Sequence, residues 1–205
     1  MPVFRRLVGD TLTPVTAFHR IDAGSCGCLF ESVIGGEKVG RYSFLSANPF
    51  LLLEAYERHV RVTWPDDPRR GEALEFQADD PLDELRKRIE AWRAATLPEL
   101  PPFCSGAVGY AGYDTVRYSE RLPNAPQDDR QLPDLSFAFY DHMVVFDNVA
   151  KTMTVVAMAR LGTPEAERTL SEAELREQYD DACRRVDALV AQLEQDREPL
   201  RATDL

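Results

Sequence analysis

Leu29-Phe30-Glu31-Ser32-Val33-Ile34-Gly35-Gly36-Glu37-Lys38-Val39-Gly40-Arg41-Tyr42-Ser43-Phe44 reads as two short apolar strands joined by a glycine-rich turn. Strand side chains alternate, so Leu29, Glu31 and Val33 share one face and Phe30, Ser32 and Ile34 the other. One face must therefore accept a charge. Two arrangements satisfy it. One is an internal Glu31 to Arg41 pair across the hairpin. The other is a zwitterionic ligand whose ammonium meets Glu31 and whose carboxylate meets Arg41 or the Ser32 hydroxyl.

Outward from this stretch the chain keeps the same habit of short strands with helices between them. Thr13-Pro14 opens a short helix with a capping residue and a proline at its first position, and its expected apolar face is Val15, Phe18 and Ile21. After Asn48-Pro49, an apolar run over residues 50–56 is answered by the alternating Val60-Arg61-Val62-Thr63-Trp64. This predicts a hairpin turning at Glu57-Arg58-His59, with a further short strand over 73–76. Asp80-Pro81 caps a second helix with Leu82, Leu85, Ile89 and Trp92 at helical spacing and Asp83–Lys87 and Glu84–Arg88 as exposed pairs.

The glycines of Gly106-Ala107-Val108-Gly109-Tyr110-Ala111-Gly112 match neither a dinucleotide fingerprint nor a P-loop; they predict a strand that bends or is closely approached by another backbone. Residues 115–122 predict a short helix or turn, and 124–133 a surface loop. Residues 135–146 and 152–159 predict two long central strands joined by a hairpin. Asp141 and His142 interrupt the first of these. As neighbours on a strand they are expected to point to opposite faces, which argues for a structural role over acid–base work. Ser171-Glu172-Ala173-Glu174 is a capping box opening a long helix with Leu175, Tyr179, Ala182, Val186, Leu189, Val190 and Leu193 on one side.

Composition narrows the partners. The 205 residues carry a formal charge of −11, without the clustered Lys and Arg that phosphate contacts need, so neither nucleic acid nor an anionic membrane is expected as a partner. No apolar run has membrane-spanning length and no signal-peptide core follows Met1, so a cytoplasmic location is expected. Four cysteines, at 26, 28, 104 and 183, form no zinc-finger spacing with the three histidines and are expected to be reduced.

Five ordered motifs carry a resemblance: Thr13-Pro14-Val15-Thr16-Ala17-Phe18; Leu29-Phe30-Glu31-Ser32; Gly40-Arg41-Tyr42-Ser43-Phe44; Gly106-Ala107-Val108-Gly109-Tyr110 through Asp114-Thr115-Val116-Arg117-Tyr118; and Phe139-Tyr140-Asp141 with Val144-Val145-Phe146-Asp147. Together they resemble the N-terminal region of anthranilate synthase component I, the large subunit, and share most of their framework with aminodeoxychorismate synthase component I. The resemblance covers nearly the whole chain. One departure is Phe30, where that family commonly has Leu.

The resemblance implies an α+β fold, an antiparallel β-sheet sandwich with flanking helices. It also implies an effector site for L-tryptophan formed by Leu29, Glu31, Ser32, Arg41, Tyr42 and Ser43. Residues 1–170 would be the regulatory domain, and 171–205 a helix leading into a C-terminal chorismate-binding domain. That second domain would hold the catalytic residues and the magnesium, so no catalytic or metal-binding residue is assigned here. A glutamine amidotransferase subunit, component II, is the implied protein partner. Two other readings stay open: the folate-pathway enzyme, and a non-catalytic module that binds an amino acid or docks an amidotransferase. The 205 residues alone are expected to lack chorismate-converting activity and to be prone to association through uncovered apolar faces.

Overall fold

A computed structural model describes residues 1–9, 11–21, 26–31, 40–65, 73–92, 94–124, 127–161 and 170–195. Among these residues ten strands form two antiparallel five-stranded sheets. In chain order they are β1 (Pro2–Val8), β2 (Gly27–Phe30), β3 (Tyr42–Ala47), β4 (Leu51–Tyr56), β5 (His59–Thr63), β6 (Leu74–Gln77), β7 (Gly106–Ala111), β8 (Leu135–Tyr140), β9 (His142–Asp147) and β10 (Thr152–Met158). The first sheet has the order β1-β10-β9-β3-β2 and the second β6-β5-β4-β8-β7. Among the described residues three α-helices accompany them, α1 (Pro14–Ile21), α2 (Pro81–Ala91) and α3 (Glu172–Glu194), and Tyr113–Tyr118 forms a 3-10 helix. The expected α+β class is the observed one.

The two sheets share one long ribbon. Strand β3 continues into β4, and β8 into β9, and each pair changes sheet at a corner. Leu45 pairs with Val144 and Leu51 with Phe139, so residues 46–50 on one strand face only 140–143 on the other. One strand thus carries an extra residue, and Asn48, with φ 54°, takes the left-handed conformation that such a bulge uses. The second corner is Asp141. The long strand expected over 135–146, interrupted at Asp141 and His142, is therefore two strands in two sheets. The cause is a residue that cannot enter a dry ladder as a bare carboxylate and is instead met by arginines.

Each sheet has its own apolar layer. Leu45, Ala47, Val144, Phe146, Val155 and Ala157 pack beneath α1 and α3. Leu51, Leu53, Ala55, Val60, Val62, Leu135 and Phe139 pack with Leu85 and Trp92 around α2. The other face of the first sheet carries Met143, Val145, Val156 and Met158, covered by Phe103 and Cys104.

The caps form as the sequence expects, but the apolar stripes are narrower. In α1 the Thr13 hydroxyl accepts from the Thr16 amide at 3.2 Å, and Ala17 and Ile21 are the buried residues while Val15 is exposed. In α2 the Asp80 carboxylate accepts from the Leu82 amide at 3.0 Å and Lys87 reaches Asp83 at 3.1 Å, yet Leu82 and Ile89 stay exposed and only Leu85 and Trp92 join the core. In α3 the capping box closes in both directions. Its stripe divides: Ala182, Val186, Leu189, Val190 and Leu193 are buried on the first sheet, whereas Leu175 and Tyr179 are exposed. Much of the face expected to await another covering layer is thus satisfied within the chain.

Strand β1 is unexpected from the sequence, because Arg5-Arg6 breaks its alternation. It pairs along its length with β10, and both arginines are used at the rim: Arg5 donates to Asp187 of α3 at 2.6 Å and Arg6 to the Glu99 carbonyl at 2.6 Å. Gly109 on β7 shows the close approach expected of that glycine-rich run. A Cβ placed there would stand 2.0 Å from the Ser136 carbonyl oxygen. Among the described residues no helix is long and apolar enough to cross a membrane.

Candidate functional site

Strand β2 is an edge of the first sheet and pairs with β3 in the register Leu29 to Leu45 and Phe30 to Phe44. That register distributes the candidate residues over two faces. Leu29 and Ser43 lie on the side covered by α1 and α3; Leu29 packs on the core there and Ser43 is wholly buried. Tyr42 lies on the opposite side with Phe44 and Phe103, its ring 6.0 Å from that of Phe44. Phe30 is on that side too and is exposed. Glu31 follows the end of β2 and is exposed. Ser32, and the glycine turn expected at 35–36, lie outside the described residues.

Arg41 does not pair with Glu31 as one arrangement expected. Its Nε and Nη2 donate to Asp147 Oδ2 at 3.0 and 2.7 Å, across from β3 at the end of β9. The guanidinium also stands 5.0 Å over the Tyr42 ring. The other oxygen of Asp147 accepts the amides of Val149 and Ala150, at 3.1 and 2.9 Å, which builds the β9–β10 turn. Burial alone would raise the Asp147 carboxyl, but the Arg41 hydrogen bonds and the two amides hold it below its ordinary value.

Asn148 completes the grip. Its amide donates to the Arg41 carbonyl at 2.7 Å, and its side-chain nitrogen donates to the Gly40 carbonyl at 3.3 Å and to Ser43 Oγ at 3.1 Å. In the sequence Asp147 ends one of the five motifs and Asn148 falls in the connection that follows it, and neither is among the candidate site residues. An Asp opening a turn signals its own amide bonds, but nothing in its spacing points to an arginine 106 positions away.

A second charged centre holds the corner between the sheets. Asp141 accepts from Arg160 Nε at 2.7 Å, and Arg160 Nη2 and Arg185 Nη1 of α3 lie 2.6 and 2.8 Å away. His142 Nδ1 is 3.1 Å from the other Asp141 oxygen, so these neighbours do meet; Asp141 sits in the bend and not in a strand, which removes the expected opposition of faces. Burial pushes this carboxyl up, but the His142 hydrogen bond and the charges of Arg160 and Arg185 hold it well below the usual carboxylate range. Arg185 also donates to the Met158 carbonyl at 2.5 Å, and Arg160 lies 4.5 Å over the Phe50 ring. With both Asp141 oxygens engaged, the cluster ties the corner to α3.

The cysteines are free. Cys26 and the Tyr140 hydroxyl are 3.6 Å apart, and burial raises both Tyr140 and Cys28 above their ordinary values. Among the described residues no group of three or more His, Cys, Asp or Glu side chains is placed to hold a metal ion. A cavity of about 660 Å³ lies away from the candidate residues, between Tyr56, Tyr110, Tyr113, Arg117, Arg130 and Asp134.

Comparison with known proteins agrees with this architecture. The model of the chorismate binding enzyme family matches residues 46–202. Anthranilate synthase component 1 of Acetivibrio thermocellus is 38% identical over 76% of this chain and 31% of its own length. The chloroplastic anthranilate synthase alpha subunit 2 of Arabidopsis thaliana is 34% identical over 99% of this chain and 33% of its own. The crystal structure of anthranilate synthase component I from Streptococcus pneumoniae shares the fold, with TM-score 0.55 and 24% identity over 94% of this chain and 37% of that one. The chain belongs to the chorismate binding enzyme family. Within it, the similarity runs to the large subunits of anthranilate synthase, of whose length the chain spans about a third.

Proposed function

We propose that this chain is the N-terminal, effector-binding part of an anthranilate synthase component I. The complete enzyme would convert chorismate, with glutamine-derived ammonia, into anthranilate and pyruvate on the way to tryptophan. Residues 1–170 would carry the L-tryptophan site and 171–205 would lead into the chorismate-binding domain. That domain would contain the magnesium and the catalytic groups, and a glutamine amidotransferase subunit would deliver the ammonia. No step of the chemistry is assigned to a residue of this chain.

The observation that supports the effector reading is Arg41, held by Asp147 one residue before β3 begins, on the strand that pairs with β2. A guanidinium with a hydrogen-bonded inner edge and a side chain 46% exposed is equipped to meet a carboxylate. Glu31, exposed and next after Phe30, which pairs with Phe44, supplies the complementary charge for an ammonium. Ser32 remains the proposed hydroxyl contact, with Leu29, Tyr42 and Ser43 as the supporting framework of the two strands.

The test is made on the complete enzyme by titrating L-tryptophan while anthranilate formation is followed. Ser32→Ala is expected to raise the inhibitory concentration roughly ten- to a hundred-fold, the worth of one hydrogen bond to a charged group, with turnover nearly unchanged. Glu31→Gln should act similarly. Unchanged inhibition in an active Ser32→Ala enzyme removes Ser32 from the site; a wild-type enzyme indifferent to tryptophan removes the effector reading.

A further inference from the structure

We infer that Asp147 and Asn148 are positioning residues for Arg41, holding one edge of its guanidinium so that the other edge is presented to the carboxylate of an amino-acid ligand. The inference rests on the effector reading of the β2–β3 edge and adds to it the device that prepares the site for its ligand.

An ordinary surface ion pair between long side chains contributes little and holds no fixed geometry. This one differs in three ways. First, the carboxylate cannot swing: Asp147 Oδ1 is engaged by the Val149 and Ala150 amides while Oδ2 takes both Nε and Nη2 of Arg41. The Asp147 side chain is only 14% exposed against 46% for Arg41, so the fixed partner is inside and the arm reaches outward. Second, the backbone of the arm is held as well as its tip, because Asn148 bonds the carbonyls of Gly40 and Arg41 and the hydroxyl of Ser43. Third, the Tyr42 ring lies against the guanidinium and restricts its rotation.

A guanidinium has five N–H donors, and Asp147 uses those at Nε and one at Nη2. Among the described residues Nη1 has no partner, so the outer fork of Nη1 and Nη2 matches the two oxygens of a carboxylate. Ser43, by contrast, is fully buried and already receives the Asn148 side chain; its hydroxyl serves the scaffold. Because Asp147 neutralises the charge of Arg41, recognition here depends on directional hydrogen bonds from a group whose rotamer entropy has already been lost. Removing the fixed partner is therefore expected to weaken carboxylate binding, not to strengthen it.

The experiment is calorimetric titration of the complete enzyme that contains this chain with L-tryptophan and with tryptamine, which lacks the carboxylate. The wild type is expected to prefer L-tryptophan by about ten-fold or more. Asp147→Ala should lose most of that preference, about ten-fold in L-tryptophan affinity, while tryptamine affinity stays within about two-fold. Asp147→Asn, which keeps an oxygen acceptor and the turn, should recover part of the loss and decides the matter if the alanine variant does not fold. An Asp147→Ala protein that binds L-tryptophan as tightly or more tightly shows Asp147 to be a competitor and overturns the positioning role alone. Equal losses for both ligands reduce the residue to a structural one and also overturn it. No L-tryptophan binding by the wild type overturns the effector reading itself.

Discussion

Asp141 at the corner between the sheets and Arg185 in α3 stand 2.8 Å apart, and their contact joins the long ribbon to the helix that covers the first sheet. Arg160 closes on the same carboxylate from the end of β10. Removing one member of such a buried group leaves the others uncompensated. Asp141→Asn is therefore expected to cost about 3 kcal/mol, read as a shift in the urea midpoint with unchanged slope.

The same cluster predicts acid sensitivity with a definite sign. The Asp141 carboxyl is held below its ordinary value in the fold, so the unfolded chain binds the proton more readily. Its contribution is fully present above the unfolded carboxylate value of about 3.9 and is lost as pH falls below that value toward the depressed folded one. Asp147 adds to the trend in the same direction. Urea midpoints measured from neutral pH down to about pH 2 should fall steeply at the acid end, and Asp141→Asn should flatten that limb. An identical acid limb in wild type and variant would locate the sensitivity elsewhere.

On β7 the test is steric. A Cβ on Gly109 would lie 2.0 Å from the Ser136 oxygen and 2.6 Å from Phe137 Cα, atoms that belong to a paired strand and cannot swing aside. Gly109→Ala should cost about 3 kcal/mol or more and lower the melting temperature accordingly.

Helix α3 yields a contrast within one element. Leu189 is 8% exposed and packs on the first sheet, so Leu189→Ala should cost about 3 kcal/mol in chemical denaturation. Leu175 and Tyr179 are exposed, and the double change to serine should stay within about 0.5 kcal/mol. Sedimentation of that double variant against the wild type also measures how much self-association the two residues drive.

The elements with local chemistry were legible in the sequence. Asp80-Pro81 and the Ser171 to Glu174 box announced their helices, and the hairpin of β4 and β5 turns at Glu57-Arg58 where the alternation placed it. What escaped was decided at long range. Residues 135–147 are apolar on both sides of Asp141 because sheet and covering layers bury both faces there, so no alternation marks where one sheet ends. Arg41 was legible as a candidate because it sits in a short motif, yet its partner Asp147 belongs to the other end of the chain, and only the pairing of β3 with β9 brings them together. The stripes of α1, α2 and α3 showed which residues could be buried; the position of each sheet beneath them selected which are.

The extra residue at the Asn48 corner acts on the reading frame of the ribbon. Odd-numbered residues point into the helix-covered layer at 45 and 47 and again at 51, 53 and 55, but on the opposing strand the inward set changes from 135, 137 and 139 to 144 and 146. The ribbon therefore counts differently along its two edges, and one surplus position keeps both counts facing inward. Deleting any one residue within 46–50 would do more than tighten a bend: it would turn one strand inside out relative to its neighbour, carrying Arg41 and Ser43 away from the turn that holds them.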